Sequence, residues 1–418
     1  MKREIQTFII ILIATLSIQA QEVTINTSLG AGYANEIYYK LNTQNETAFI
    51  ANSWDIAFFR ESDFDLGVRV NDGVGIEVYE VANTPAGYDS VDITNQSAWT
   101  QLYNDDTNWN AGAFMNTSLT GGLAFGFGNY NPSNNTVEGQ IVFVLKYGDG
   151  SYKKFFIESY FGGYTFRFSS WNGSEWSADV TETIPNSNNP NNRFNYYSLQ
   201  NESEVIAEPA ATEWDFVFRR YNTFLNPPGQ YYPVTGVLNN PNVQVAENDE
   251  PGGMPTNPNL TYSSDINTIG SDWKSFTGTG FAVDSDKAFY VKYTDNTIFR
   301  LTFTAFSGNS SGDLTFVINN VTDALNIADI NENVSFGVYP NPTTNKKVNL
   351  VYDVTAIATS TNKVTIYSTL GQKVYETSLQ NKTGFYNKPL DLSSLSDGIY
   401  MLKFTAGEFS VTKKIILK

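Results

Sequence analysis

The chain contains neither histidine nor cysteine, and those two absences decide most of the chemistry open to it. A Ser-His-Asp arrangement, a Cys-His pair, a thiolate nucleophile and a His- or Cys-ligated zinc are all excluded. Carboxylates remain, and there are 43 acidic residues. Glycoside hydrolysis uses two of them across a scissile bond, but no acidic pair is marked out by its surroundings. We therefore assign no catalytic residue. Three stretches cluster oxygen ligands: NDDTNWN (104–110), YGDGS (147–151) and AENDE (246–250). Calcium takes such groups. None of the three has the spacing of a calcium loop, so turns and solvated acids are the reading adopted, and no metal site is assigned. Trp99, Trp109, Trp171 and Trp176 can form a stacking platform for sugars or pack in a core, the second being the commoner use.

The elements that must position such groups read as all-β. QIVFVLKYGDGSYKKFFIES (140–159) alternates apolar and polar residues around a GDG turn, and AFYVKYTDNTIFRLTFTAF (288–306) does so around TDN. That is the pattern of a hairpin. Asn, Gly, Ser and Thr fill the gaps, and helical periodicity is hardly visible. Sandwiches or barrels follow. Lys2 and Arg3, the apolar run FIIILIATL and the small-residue end SIQA predict a signal peptide over residues 1–20, cleaved after Ala20. The net charge of −17 repels phosphate backbones and argues against nucleic acid as a partner.

One heptad is spelled twice. WDIAFFR occupies 54–60 and WDFVFRR occupies 214–220. Before each lies a tyrosine pair, in EIYYKLN (36–42) and NYYSLQN (195–201), and after each comes a late hairpin. The shared order predicts a duplicated β domain, one copy over 22–184 and the other over 194–325, with the polar, proline-punctuated PNSNNPNNR (185–193) as linker. Trp and Phe of the heptad, alternating on a strand, are expected to fill a core. The aspartate is expected to accept hydrogen bonds at a sheet end.

From about residue 334 the texture changes to a small immunoglobulin-like sandwich. Tyr339-Pro340-Asn341-Pro342 is extended, because each proline pushes its predecessor toward β. Leu370-Gly371-Gln372 and Asp397-Gly398 read as hairpin turns, and the chain ends in a basic edge strand. YPNP, GQKVYE, SDGIYMLKF with Gly398 and Tyr400, and the terminal KKIILK with Lys413 and Lys414 resemble the type A C-terminal sorting domain of the type IX secretion system. The resemblance covers 334–418. It implies passage across the outer membrane by the type IX machinery, followed by attachment to the cell surface or release.

The repeated unit, with Trp54-Asp55 and Phe58, Trp214-Asp215 and Phe218, and the two late hairpins, resembles the HmuY-like haemophore family across about 22–325. The resemblance implies an exported, non-catalytic binding protein with haem as its ligand. That family usually ligates haem through two histidines, which this chain lacks, and some relatives use methionine instead. Met115 and Met254 are the methionines of the repeats, each between the WD strand and the late hairpin of its copy. They are the ligand candidates, set against core filling by Met115. A structural or adhesive surface protein that meets glycans or host proteins through aromatic faces is the alternative.

Overall fold

The computed structural model describes residues 22–418 except 62–65, 256–257, 323–324, 326–333, 355–361, 381, 383 and 407–408. The expected signal peptide lies outside the described residues. The protein is all-β, and among the described residues no helix is long and apolar enough to cross a membrane. The chain divides into two compact units at Thr322/Asp323.

Alternation drives the first unit. In the strand Gly163–Ser170, Tyr164, Phe166 and Phe168 are fully buried, and in Asp313–Asn320 the same holds for Leu314, Phe316 and Ile318 to within 2%. A strand shows successive side chains to opposite faces, so every second residue enters the core. Both late hairpins form as read. Val142–Lys146 pairs with Tyr152–Tyr160, and Lys287–Tyr293 with Ile298–Phe306. Each turn needs one left-handed residue, which Gly150 (φ 83°) supplies in the first and Asn296 (φ 67°) in the second.

The ladders build two lobes. In the first, Ile56–Phe59 pairs with Val68–Val70 and with Phe194–Ser198, and a nine-stranded sheet carries the late hairpin, Gly163–Ser170 and Val180–Pro185. In the second, Phe216–Leu225 pairs with Gln230–Asn239 and with Asn35–Lys40, and a five-stranded sheet carries the late hairpin, Asp313–Asn320 and Val23–Ser28. Trp54 and Trp214 hold equivalent places, each just before the heptad strand of its own lobe.

Membership of the lobes departs from sequence order. The N-terminal strands Val23–Ser28, Asn35–Lys40 and Asn45–Ile50 hydrogen-bond into the second lobe. Val180–Pro185, Phe194–Ser198 and Ser203–Val205, their counterparts ahead of the second heptad, bond into the first. The segment 185–193 thus joins two strands of one lobe, while each heptad follows a hairpin that it does not pair with in the order of the chain. Leu29, Ile37, Tyr39 and Leu41 are buried in the core of the second lobe, and Tyr197 and Leu199 in that of the first. A third cluster draws on both lobes: Trp54, Phe59, Trp109, Phe194 and Tyr196 meet Tyr38, Trp214, Val217 and Tyr221.

The second unit is a sandwich of a three-stranded and a four-stranded sheet around Leu350, Tyr352, Ile366, Leu402 and Phe404. Gly371 (φ 79°) sits in the turn of the hairpin Lys363–Ser368/Lys373–Ser378 as expected. Asp397-Gly398 does not make a hairpin. Gly384–Asp391 belongs to one sheet and Gly398–Ala406 to the other, so the residues between them cross the sandwich. The final strand Phe409–Leu417 is an edge, with Ile415 and Leu417 inward and Lys413 and Lys414 exposed. Asn341 ties the YPNP segment to this strand, donating to Lys414 O at 2.7 Å and accepting from Ile416 N at 2.9 Å. Lys413 Nζ reaches Phe336 O at 2.9 Å, and Tyr400 donates to Ser396 O.

Candidate functional site

The repeated Trp-Asp pair is a clamp. Asp215 is buried and accepts from Lys40 Nζ at 2.7 Å, from Leu41 N at 2.7 Å and from the Tyr293 hydroxyl. Asp55 accepts from Gln200 N at 3.1 Å and from Ser198 Oγ at 3.3 Å, with the Tyr147 hydroxyl beside it. Each aspartate therefore holds the hairpin supplied from the far stretch of chain, and Asp215 also ties it to the late hairpin through Tyr293. The tryptophans close the space above, Trp54 edge-on to Tyr196 at 5.0 Å and Trp214 edge-on to Tyr38 at 5.1 Å. The hydrogen bonds of both aspartates serve to hold strands together.

Beside it lies a buried polar network. Arg219 pairs with Glu36 at 3.1 Å and lies over the Trp54 ring of the other lobe. Glu208 accepts from Arg193 N at 2.6 Å and Phe194 N at 2.8 Å. Burial pushes the Glu208 carboxyl up to about 8, although those two N–H groups pull it down. A raised acid stabilises the fold fully below its unfolded value and loses that contribution as pH rises through the folded one. Stability attributable to Glu208 is thus expected to fall between pH 4.5 and about 8. Glu208→Gln keeps the acceptor oxygen and removes the charge. Its melting temperature relative to the native chain should climb steadily over that window, and a pH-independent difference would refute the assignment.

A surface feature that folding does not account for is the arm of the second lobe. Phe216–Leu225 and Gln230–Asn239 are each ten residues long, where the counterparts Ile56–Phe59 and Val68–Val70 have four and three. The extra length carries Phe224 (52% exposed), Tyr231 (39%) and Tyr232 (52%) out into solvent. Phe224 and Tyr231 are cross-strand partners with rings 5.3 Å apart. Tyr103 of the first lobe stacks on Tyr231 at 3.7 Å, nearly parallel. The arm is fixed at its base, because Asn222 N donates to Asp72 at 3.2 Å and Thr223 Oγ1 to Asp106 at 2.5 Å. Gly73 allows this approach, since a Cβ there would collide with Arg220 O. Between arm and first lobe lies a groove of about 630 Å³, lined by Gln101, Tyr103, Asp105, Asp106, Asn116, Phe224 and Tyr231 among others. Ligand sites are concave and combine apolar faces with a few placed polar groups, and this groove does both.

The residues singled out from sequence are scattered. Met115 ends a short 3-10 helix, Ala113–Met115, and is half-buried against the core of the first lobe. Met254 lies half-buried in a loop of the second lobe. Neither lines the groove. Trp109 is buried and donates to Asn239 O at 2.8 Å, so it bridges the lobes. Trp171 and Trp176 pack on each other at 5.2 Å, and Trp99 leans on Tyr79. In AENDE, Glu250 is engaged by Arg300 at 2.6 Å and the Tyr290 hydroxyl at 2.6 Å. In YGDGS, Asp149 closes a turn by accepting from Ser151. In NDDTNWN, Asn104 is buried, bonding Val70 and Ala113, while Asp105 and Asp106 face the groove. The arm itself was missed. Its sequence, FLNPPGQYY (224–232), does carry a signal: two prolines and a glycine at a tip flanked by aromatic residues.

Residues 337–418 match the family model described as the secretion system C-terminal sorting domain. The second unit is therefore a type IX sorting domain, and the chain is a substrate of that export machinery. No curated protein matches the chain. Among solved structures, apo PinO from Porphyromonas gingivitis is similar at 10% identity and a TM-score of 0.22, over 72% of this chain and 96% of its own.

Proposed function

We propose that residues 22–322 form a non-catalytic binding protein, delivered to the cell surface or beyond by the sorting domain, that captures its ligand in the groove beside the arm. The observation that carries this reading is the exposure of Phe224 and Tyr231 on a braced hairpin that walls the groove. Exposed aromatic clusters are unfavourable to a folded chain in water and mark interaction sites. The bracing supports it too, because a site already held in its bound shape loses less entropy when occupied. The duplication supplies the frame, and the lengthened arm of one copy supplies the site.

Haem capture, as the HmuY-like resemblance implies, would run through Met115 or Met254 and makes a different forecast. Haemin added to the full chain would then give a Soret shift that Met115→Leu or Met254→Leu removes. The groove reading expects any captured ligand, whether glycan, haemin or extracellular protein, to be lost in the Phe224→Ala/Tyr231→Ala double variant and kept in both methionine variants. Capture that survives the double variant would overturn it.

A further inference from the structure

We infer that the groove takes a neutral, β-linked gluco-configured oligosaccharide, of glucose or N-acetylglucosamine units; this rests on the groove being the binding site. A ligand must satisfy three features of the groove together. The first is its aromatic wall. A pyranose whose substituents are all equatorial shows only C–H bonds on its two ring faces. Those weakly positive hydrogens fit the negative face of a phenyl or phenol ring. Phe224, 52% exposed, offers such a surface, and Tyr231 stands edge-on beside it at 5.3 Å, one of its faces covered by Tyr103 and its rim open to the groove.

The second feature is the opposite wall, which is polar and only partly used. Asp105 spends Oδ1 on Thr107, and Asp106 spends Oδ2 on Thr223 and Asn267. The other oxygen of each carboxylate makes no hydrogen bond among the described residues. Asn116 donates Nδ2 to Tyr103 O and keeps its carbonyl oxygen free. These are acceptors, and a sugar edge presents hydroxyl donors. The third feature is sign. Two carboxylates on one wall, in a chain of net charge −17, repel uronic and sulfated glycans and leave neutral ones. The groove volume of about 630 Å³ lies in the range of small-ligand clefts.

Cellohexaose, chitohexaose and heparin titrated calorimetrically into the full chain test this. One or both neutral hexaoses are expected to bind and heparin to be rejected. Phe224→Ala and Tyr231→Ala should each weaken binding about tenfold, the worth of one lost stacking contact of about 1.4 kcal/mol. Phe276→Ala, at a site 66% exposed and outside the groove, should leave it unchanged. Melting curves on the same samples separate a lost site from a lost fold. Preference for heparin, or neutral binding indifferent to both groove substitutions, would overturn the inference. Should neither hexaose bind while the double variant still abolishes capture of haemin or an extracellular protein, the sugar assignment falls and the groove stands. If the double variant leaves all capture intact, both fall.

Discussion

Deleting residues 22–50 is expected to unfold the second lobe, more than 160 residues further along the chain, while the first lobe keeps its structure. The deleted strands supply Leu29, Ile37, Tyr39 and Leu41 to the core of that lobe. Burying such side chains contributes about 1.5–3 kcal/mol each, and the sum rivals the roughly 5–15 kcal/mol by which a domain is stable at all. Hydrogen exchange read by mass spectrometry checks it directly. Peptides from Phe216–Leu225 and Asp313–Asn320 should lose protection, and those from Tyr152–Tyr160 and Gly163–Ser170 should retain it. A synthetic peptide of residues 22–50, added back, should restore the lost protection. Were the copies independent in sequence order, the same deletion would damage 54–170 and spare 216–320, the opposite pattern.

That reversal shows where the sequence is legible and where it stops. Alternation is local, so the strands at 163–170 and 313–320 and both late hairpins can be read from the residues themselves. The sorting domain is legible too, because YPNP, Gly371 and the basic final strand each answer to a local demand of turn or edge. Pairing between distant strands is not local. EIYYKLN and NYYSLQN carry the same pattern and present the same faces, so nothing within either hairpin states which WD strand it will meet. Either partner satisfies the ladder, and the choice is set by chain geometry and by one-sided contacts such as Arg219 with Glu36. Asp397-Gly398 fails for a similar reason, since a turn signal does not say whether the next strand stays in the same sheet. The groove escaped because its residues at 101–116 and 224–231 come from different lobes, and only the assembled unit brings them together.

Replacing Asp215 is expected to cost far more stability than replacing Asp55, although the two stand in the same heptad position. All three partners of Asp215 present hydrogens to it: an ammonium, a backbone N–H and a phenol. Asp215→Ala strands the Lys40 charge, which is only 14% exposed, and removing one member of a buried pair typically costs about 3–5 kcal/mol. Asp215→Asn should be nearly as severe. Its amide must turn an NH₂ toward one of the donors, and neither lysine nor a backbone N–H can reverse its role. Asp55 has no cationic partner among its hydrogen bonds, and its contacts are longer, 3.1–3.3 Å. Its Oδ1 accepts from the Gln200 side-chain amide, which can flip to present its oxygen to an asparagine NH₂. Oδ2 meanwhile goes on accepting from Gln200 N and Ser198 Oγ. Asp55→Asn is therefore expected to cost under about 1 kcal/mol, and Asp55→Ala about 1–3 kcal/mol. Urea unfolding of the four variants gives the ranking. Equal losses at the two aspartates would mean that the lysine adds nothing to the clamp, and that the N-terminal hairpin is held in the second lobe by packing alone.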